Sequence, residues 1–351
     1  MNIDGPIINT ALCSFGMSGL VFHAPFLSAH PGFNLYAVWE RTNKVASTIY
    51  PGILSFDSFD KLLEDTTIDL VIVNTPNHTH YDLAKKALMA GKHVLVEKAF
   101  TVTVTEAEDL VRISYEQQKL LAVFHNRMFD SDFKTVKQVI SSGLLGNIIE
   151  AEFHFDRYKP ELSPKIHKEQ PLPGSGLLHD LGPHLIDQAL YLFGLPASVY
   201  GFTRIVRPGS RVNDYFDVTL FYNDKTVRLR SSLMVKEPLA AYSVHGNKGS
   251  FIKTRADIQE DVLKTGKSLE ISGWGIEPSS AEGTLNRIEN GNTIISRVPS
   301  LPGNYMDYYT GLYNAIAHEK PLPVSASDGL NVIKVIAAVI QSNHLHQAIL
   351  L

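Results

Sequence analysis

The sequence predicts an α/β protein in two parts. The first is a parallel sheet covered by helices, and the second an α+β domain on a large, mostly antiparallel sheet with one open face. Three observations support this. Through residue 125, short apolar runs alternate with amphipathic ones, the pattern of βαβ units. After Asn126, strand-like runs follow one another without helices between them, which implies antiparallel pairing. The length, 351 residues, exceeds one small core and suits two domains, 1–126 and 127–351.

In the first part the expected strands are "IINTALC" (7–13), "FNLYAVW" (33–39), "DLVIVNT" (69–75), "HVLVE" (93–97) and "LLAVF" (120–124). They are apolar on both faces, as strands inside a helix-covered parallel sheet must be. "FDKLLED", "YDLAKKALMAGK" and "TEAEDLVRISYEQQ" place apolar residues at helical spacing, and Gly91 suits a helix stop. In the second part, helices are expected at "FKTVKQVISSG" and "HLIDQALYLFG". Strands are expected at "IIEAEFHFDRY", "ASVYGFTRIV", "YFDVTLFY", "TVRLRSSLMV" and "AAYSVHG", with hairpin turns at Asn223-Asp224 and Gly246-Asn247. Residues 255–300 read as loop with short strands, and helices near 304–319 and 327–348 close the chain.

Composition narrows the functional classes. With 44% hydrophobic and 19% charged residues the chain is ordinary for a globular protein. Net charge is −4 without a basic block, which argues against a nucleic-acid partner. No apolar run approaches a membrane span, and the N-terminus lacks the basic region of a signal peptide, so a cytoplasmic location is expected. The single cysteine, Cys13, precludes an intramolecular disulfide.

The chemistry begins at "CSFGMSGLVFHAP". After the first strand, the run Ser14, Phe15, Gly16, Met17, Ser18, Gly19 follows G-x-G-x-x-G with serine for the first glycine. Gly16 would let a pyrophosphate approach the backbone, Gly19 would let helix and strand pack closely, and the first helical amides would face the phosphates. Alone, such a turn reads equally well as an ordinary βα connection. Glu40, 21 residues after Gly19 at the end of the second strand, stands where an acid would hold the adenine ribose hydroxyls. Arg41 would instead suit a 2′-phosphate or stack on adenine. Glutamate repels that phosphate, so NAD is favoured over NADP; a solvated Glu-Arg pair is the competing reading. Two further strands end in polar groups, at Asn74-Thr75-Pro76-Asn77 and Glu97-Lys98, and so deliver them to the same sheet edge.

A second polar cluster is "LLHDLGPHLIDQAL". Pro183 suits a first helical turn, placing His184 near a helix N-terminus, where the dipole disfavours the imidazolium and keeps the ring ready to accept a proton. Asp180 can orient that ring, cap the helix or bind a hydroxyl; cap and packed histidine is the structural alternative. A metal site of His179, Asp180 and His184 lacks further ligands, and none is expected.

Together, "FGMSGLVFHAP", "NTPNHTHYDLAKKALMAGKHVLVEKAF", "VFHNRMFDSDFKTVKQVI" and "DLGPHLIDQALYLFGLP" resemble the Gfo/Idh/MocA oxidoreductases over nearly the whole chain, nearest to the scyllo-inositol dehydrogenase-like branch. Ser14 and Ala99, the latter where the family run is Glu-Lys-Pro, are departures. The resemblance implies oxidation of a secondary alcohol on a sugar, polyol or inositol with NAD or NADP. It casts Lys98, Asp180 and His184 as catalytic, with His184 taking the hydroxyl proton and Lys98 favouring negative charge on the reacting oxygen. The cofactor is then expected against Ser14, Phe15, Gly16, Met17, Gly19, Glu40, Arg41, Thr75, Pro76, Asn77, His80, Glu97 and Lys98. The substrate is expected against Asn126, Arg127, Arg157 and Tyr158 besides the catalytic three. His23, in "FHAP", either serves the phosphate turn or packs its helix, and the role of His167 is open. Alternatives are a non-carbohydrate substrate of dihydrodiol or biliverdin type, or a non-catalytic nucleotide sensor. A homodimer or homotetramer through the second-domain sheet is expected.

Overall fold

The computed structural model describes residues 4–351 apart from 165, 267, 268 and 270–272; the side chains of Ile166 and His167 also lie outside the described residues. Contacts divide the chain into two compact units. The first comprises Met1–Asn126, Gln259–Trp274 and Asn304–Leu330; the second comprises Arg127–Ile258, Gly275–Gly303 and Asn331–Leu351. The segment 127–351 is therefore not one piece: two later stretches belong with the N-terminal part.

The first unit is a six-stranded parallel sheet, β1 (Ile8–Leu12), β2 (Phe33–Trp39), β3 (Leu54–Phe56), β4 (Leu70–Val73), β5 (His93–Val96) and β6 (Leu121–Val123). Their spatial order is β3-β2-β1-β4-β5-β6. The five expected strands are present, and β3 is an addition too short to leave a periodic signal. All four residues of β4 are buried, as burial of both sheet faces requires. Strand order reverses between β1 and β4, so a crevice for a ligand opens outside their carboxyl ends. The helix after β1 is π-type over Gly19–His23 and continues as α1 (Ala24–Ala29). Helices α2 (Ala46–Ile49), α3 (Phe59–Glu64), α4 (His80–Met89) and α5 (Val104–Glu116) make the crossovers.

The second unit holds a nine-stranded sheet. Its strands are β7 (Ile148–His154), β8 (Ser198–Arg204), β9 (Tyr215–Phe221), β10 (Thr226–Ser232), β11 (Tyr242–Gly246), β12 (Gly249–Lys253), β13 (Gly283–Glu289), β14 (Asn292–Val298) and β15 (Ile349–Leu350). The order is β14-β13-β12-β11-β7-β10-β9-β8-β15, antiparallel except where β7 meets β10. Alternation sorts the faces: Val218 and Leu220 are buried, while Asp217 and Thr219 line the open side. Helices α6 (Ser131–Ser141), α7 (Ile166–Glu169), α8 (Leu177–Asp180) and α9 (Gly182–Phe193) belong to this unit. The region expected to be loop with short strands contains the hairpin β13–β14, turned at Asn290-Gly291 with both residues at positive φ, and also α10 (Gln259–Lys264). The closing helices are α11 (Met306–His318) and α12 (Ala326–Leu345). No helix among the described residues is long and apolar enough to cross a membrane.

Candidate active site

The glycine-short turn is held by side chains from the neighbouring strand end. The Ser14 amide donates to Asn74 Oδ1 (2.9 Å), Ser14 Oγ donates to the Asn74 carbonyl (2.9 Å), and Asn74 Nδ2 donates to the Ser14 carbonyl (2.8 Å). Serine thus supplies a hydroxyl that glycine cannot, and it ties β1 to β4 where the strand order reverses. A Cβ on Gly19 would lie 2.5 Å from the Ser14 carbonyl oxygen, so only glycine lets this helix start so close to the strand. A Cβ on Gly16 would meet nothing within 4 Å: that glycine faces open space, which a ligand can fill. Phe15 and Met17 flank it, with Met17 48% exposed. An open glycine before a helix N-terminus fits a pyrophosphate.

The other strand ends at this edge are also cross-linked. After β4, Thr75, Pro76 and Asn77 form a partly exposed turn in which the hydroxyls of Thr75 and Thr79 share a hydrogen bond of 2.6 Å. After β5, Glu97 Oε1 accepts from Ser18 Oγ and faces His23 Nε2 at 3.1 Å, while Oε2 accepts from the Lys98 amide at 3.1 Å. Burial would raise the pKa of Glu97. The hydrogen bond and charge of His23, the Ser18 hydroxyl and the charge of Lys98 overcome this and bring it to about 2. Lys98 itself is half-buried, and its bond to Ala99 is cis.

Three of the residues expected against the cofactor have their side chains engaged within the protein. Glu40 was expected to reach a ribose, but it is 6% exposed and both its oxygens are used. Oε1 accepts from the amides of Val45 (2.8 Å) and Ala46 (3.1 Å), and Oε2 from Ser55 Oγ (2.9 Å). It braces the loop into α2 and leaves Arg41 exposed, stacked 6.0 Å over Trp39. His80 is fully buried, with Nδ1 2.8 Å from the Ala99 carbonyl and Nε2 2.8 Å from that of Thr75. Burial lowers its pKa against those hydrogen bonds. It supports the two strand ends from behind. Glu97, likewise, spends its oxygens inside the protein. In all three cases local donors or acceptors engage the side chain.

In the second unit the expected residues gather around one ring. Arg127, Arg157 and Arg255 lie with their guanidinium carbons 5.6, 5.0 and 4.0 Å from the centre of Phe155, and the His184 ring lies 6.4 Å from it. Arg127 reaches Asp130 at 3.5 Å, and Arg255 reaches Asp130 and Asp132 at 3.7 Å. Burial pushes Asp130 well above the usual carboxylate range, with Arg127 opposing and Asp257 adding. Phe155 and Arg255 had no sequence signal: a phenylalanine in an alternating strand and an arginine in a polar stretch look ordinary. Tyr158 is 50% exposed at a β-bridge with Met234, under Lys236.

Asp180 ends α8 and His184 follows the Leu181 break, near the start of α9, so they lie on two short helices and not one. His184 is 5% exposed; Asp180 is half-exposed, with Lys168 of α7 at 3.7 Å. Lys168 was missed. Its loop is fixed by buried Arg207, which donates to both oxygens of Glu169 (2.9 and 3.2 Å) and to Asp214 (2.9 Å). Asn126, last residue of the first unit, is 5% exposed and opens a single 3₁₀ turn.

A parallel sheet with a glycine turn at its switch point, and a lysine on a neighbouring strand end, define a dinucleotide-binding oxidoreductase. The chain belongs to the Gfo/Idh/MocA family. Residues 8–125 match the family's NAD-binding Rossmann fold, and residues 137–349 match its C-terminal alpha/beta domain. It is 38% identical to the oxidoreductase YdgJ of Escherichia coli over 95% of this chain and 96% of that one. It is 34% identical to scyllo-inositol 2-dehydrogenase (NADP(+)) IolW of Bacillus subtilis over 98% of this chain and 96% of the other. The structure of the oxidoreductase yvaA from Bacillus subtilis superposes with a TM-score of 0.96 at 34% identity, covering all of both chains.

Proposed function

We propose that this oxidoreductase moves a hydride between NADP and a secondary alcohol or ketone of a sugar, polyol or inositol. The observation that carries the reading is the Ser14–Asn74 clamp beside open Gly16. Preference for NADP, against the expectation from Glu40, is supported by the capture of that carboxylate and the exposure of Arg41. A guanidinium pairs with a 2′-phosphate. IolW, by its name an NADP(+)-dependent scyllo-inositol dehydrogenase, agrees with both parts of the proposal.

Bound nicotinamide would supply a two-electron hydride acceptor or donor. The Gly16–Gly19 turn would hold the pyrophosphate and Arg41 the adenosine end. Lys98, a cation on a fixed strand end, favours negative charge on the reacting oxygen. His184 takes the hydroxyl proton in oxidation and returns it in reduction, and Asp180 binds a neighbouring hydroxyl. Arg127 and Arg157 complete the substrate side.

Titration with NADPH and NADH, followed by energy transfer from tryptophan, tests the first half; NADPH should bind at least ~10-fold tighter, and Arg41→Ala should erase the difference. Failure of both nucleotides to bind would end the proposal. With scyllo-inositol and other cyclitols and aldoses as substrates, His184→Gln should lower kcat by about 10²–10⁴ while cofactor affinity holds. Self-association through the open sheet face, as a homodimer or homotetramer, is part of the same proposal. A groove of about 600 Å³ there, lined by Tyr200, Phe202, Glu152, Asp217 and Arg228, offers mixed charge and aromatic surface. Tyr200→Asp combined with Phe202→Asp should shift the mass in solution to that of one chain, 38.9 kDa.

A further inference from the structure

His23 is fully buried, and hydrogen-bond accounting fixes what its ring must do. The Tyr309 hydroxyl lies 2.5 Å from the Phe22 carbonyl, which can only accept, so the single phenolic proton points there. His23 Nδ1, 2.8 Å from the same hydroxyl oxygen, must therefore donate to it. On the other side, Nε2 faces Glu97 Oε1 at 3.1 Å. That oxygen also receives the Ser18 hydroxyl, and its partner oxygen receives the Lys98 amide, the pattern of an ionised acceptor. Nε2 donates as well. A ring that donates from both nitrogens is a cation.

We propose that His23 is a positioning residue for Lys98: a doubly protonated ring, held by Tyr309, that fixes the Glu97 carboxylate so that its far oxygen anchors the Lys98 amide. The same carboxylate draws in Ser18 at the start of the π-type turn, so one buried ion pair sets both the phosphate turn and the lysine. The groups facing the pair are few. Tyr308 and Tyr309 come from α11, His80 from α4, Ser18 from the helix start and Lys98 from the end of β5, and the Phe124 ring lies 4.6 Å from His23. Among the described residues, Glu97 is the carboxylate that meets His23.

The catalytic meaning of this inference rests on the role proposed for Lys98, but its test needs no substrate. The full-length protein is labelled with ¹⁵N-histidine, and its lysines are reductively ¹³C-methylated. The His23 signals are assigned by their loss in His23→Gln, and the Lys98 signal by its loss in Lys98→Arg. Both His23 nitrogens should show the protonated signature. In wild type the Lys98 signal should stay flat through the ordinary carboxylate range. In His23→Gln it should gain an inflection there, as Glu97 loses its cationic partner, and adding Glu97→Gln should remove the inflection. An unprotonated His23 nitrogen at neutral pH, or a flat Lys98 signal in His23→Gln, would overturn the inference. Should His23→Gln not fold, Tyr309→Phe takes its place; it should displace the Nδ1 and Lys98 signals together, and no displacement of either would be equally decisive. The functional reading fails differently, by unchanged turnover of scyllo-inositol in Lys98→Arg.

Discussion

In the first unit Ser14 and Asn74 meet through hydrogen bonds of 2.8–2.9 Å that involve main chain at every step. In the second, three guanidinium groups stand 4.0–5.6 Å from one ring, and two of them face acids at 3.5–3.7 Å. The first arrangement fixes backbone geometry, so it should be sensitive to a single added methyl and indifferent to distant charge. The second fixes charge in a low-dielectric setting, so it should tolerate changes of shape that keep the cation and resist its removal. A cofactor common to many enzymes suits the first, and a substrate that differs between them suits the second.

The contrast can be broken experimentally. Arg255→Met takes one cation away from the buried Asp130 and Asp132, and stability should fall by roughly 3–5 kcal/mol in urea unfolding. Arg255→Lys should cost less than half of that. Equal costs would mean that shape matters there too. Next comes the acid limb. Glu97 titrates at about 2 when folded and near 4.5 otherwise, so its contribution is complete above the unfolded value and disappears as pH falls toward 2. Between those values wild type should lose roughly 3 kcal/mol that Glu97→Gln does not lose, seen by acid titration of the unfolding midpoint. Gly19→Ala should cost about 1–3 kcal/mol and abolish tight cofactor binding, because its Cβ collides with main chain. Gly16→Ala should weaken binding with stability unchanged within about 0.5 kcal/mol. If both glycines behave alike, the turn is not shaped as described. The smallest effect should be Lys168→Ala, below about 1 kcal/mol, since that pair with Asp180 is half-exposed.

Much of this was legible because parallel sheets write themselves plainly: apolar runs, helical spacing between them, and polar residues collected at the carboxyl ends. Ser14, Gly19, Asn74 and Lys98 could be placed on one edge from spacing alone. What could not be read is which partner captures a side chain. Glu40 stands at the position of a ribose-binding acid, and its fate was decided by the amides of Val45 and Ala46 and the hydroxyl of Ser55, none of which sequence position reveals. His80, in the polar string "NTPNHTH", was expected against the cofactor, and two carbonyls enclose its ring. The β13–β14 hairpin carried an Asn-Gly turn signal. Its strands could not be delimited because β14 is the sheet edge and β13 lies next to it, where Ile288 and Ile295 remain exposed.

The return of residues 304–330 to the first unit bears on how the chain is made. Phe26 stacks on Tyr309 at 5.2 Å and contacts Tyr305, and both tyrosines follow β7 through β14 in the chain. While the nascent chain is being extended, the six-stranded sheet can form, but the aromatic face of α1 has no cover, and His23 lacks the hydroxyl that holds it. The N-terminal unit is thus completed after most of the C-terminal one has been synthesised. A fragment released by truncation after Asn126 would carry every strand of its sheet and still expose Phe26 and Phe33 to water.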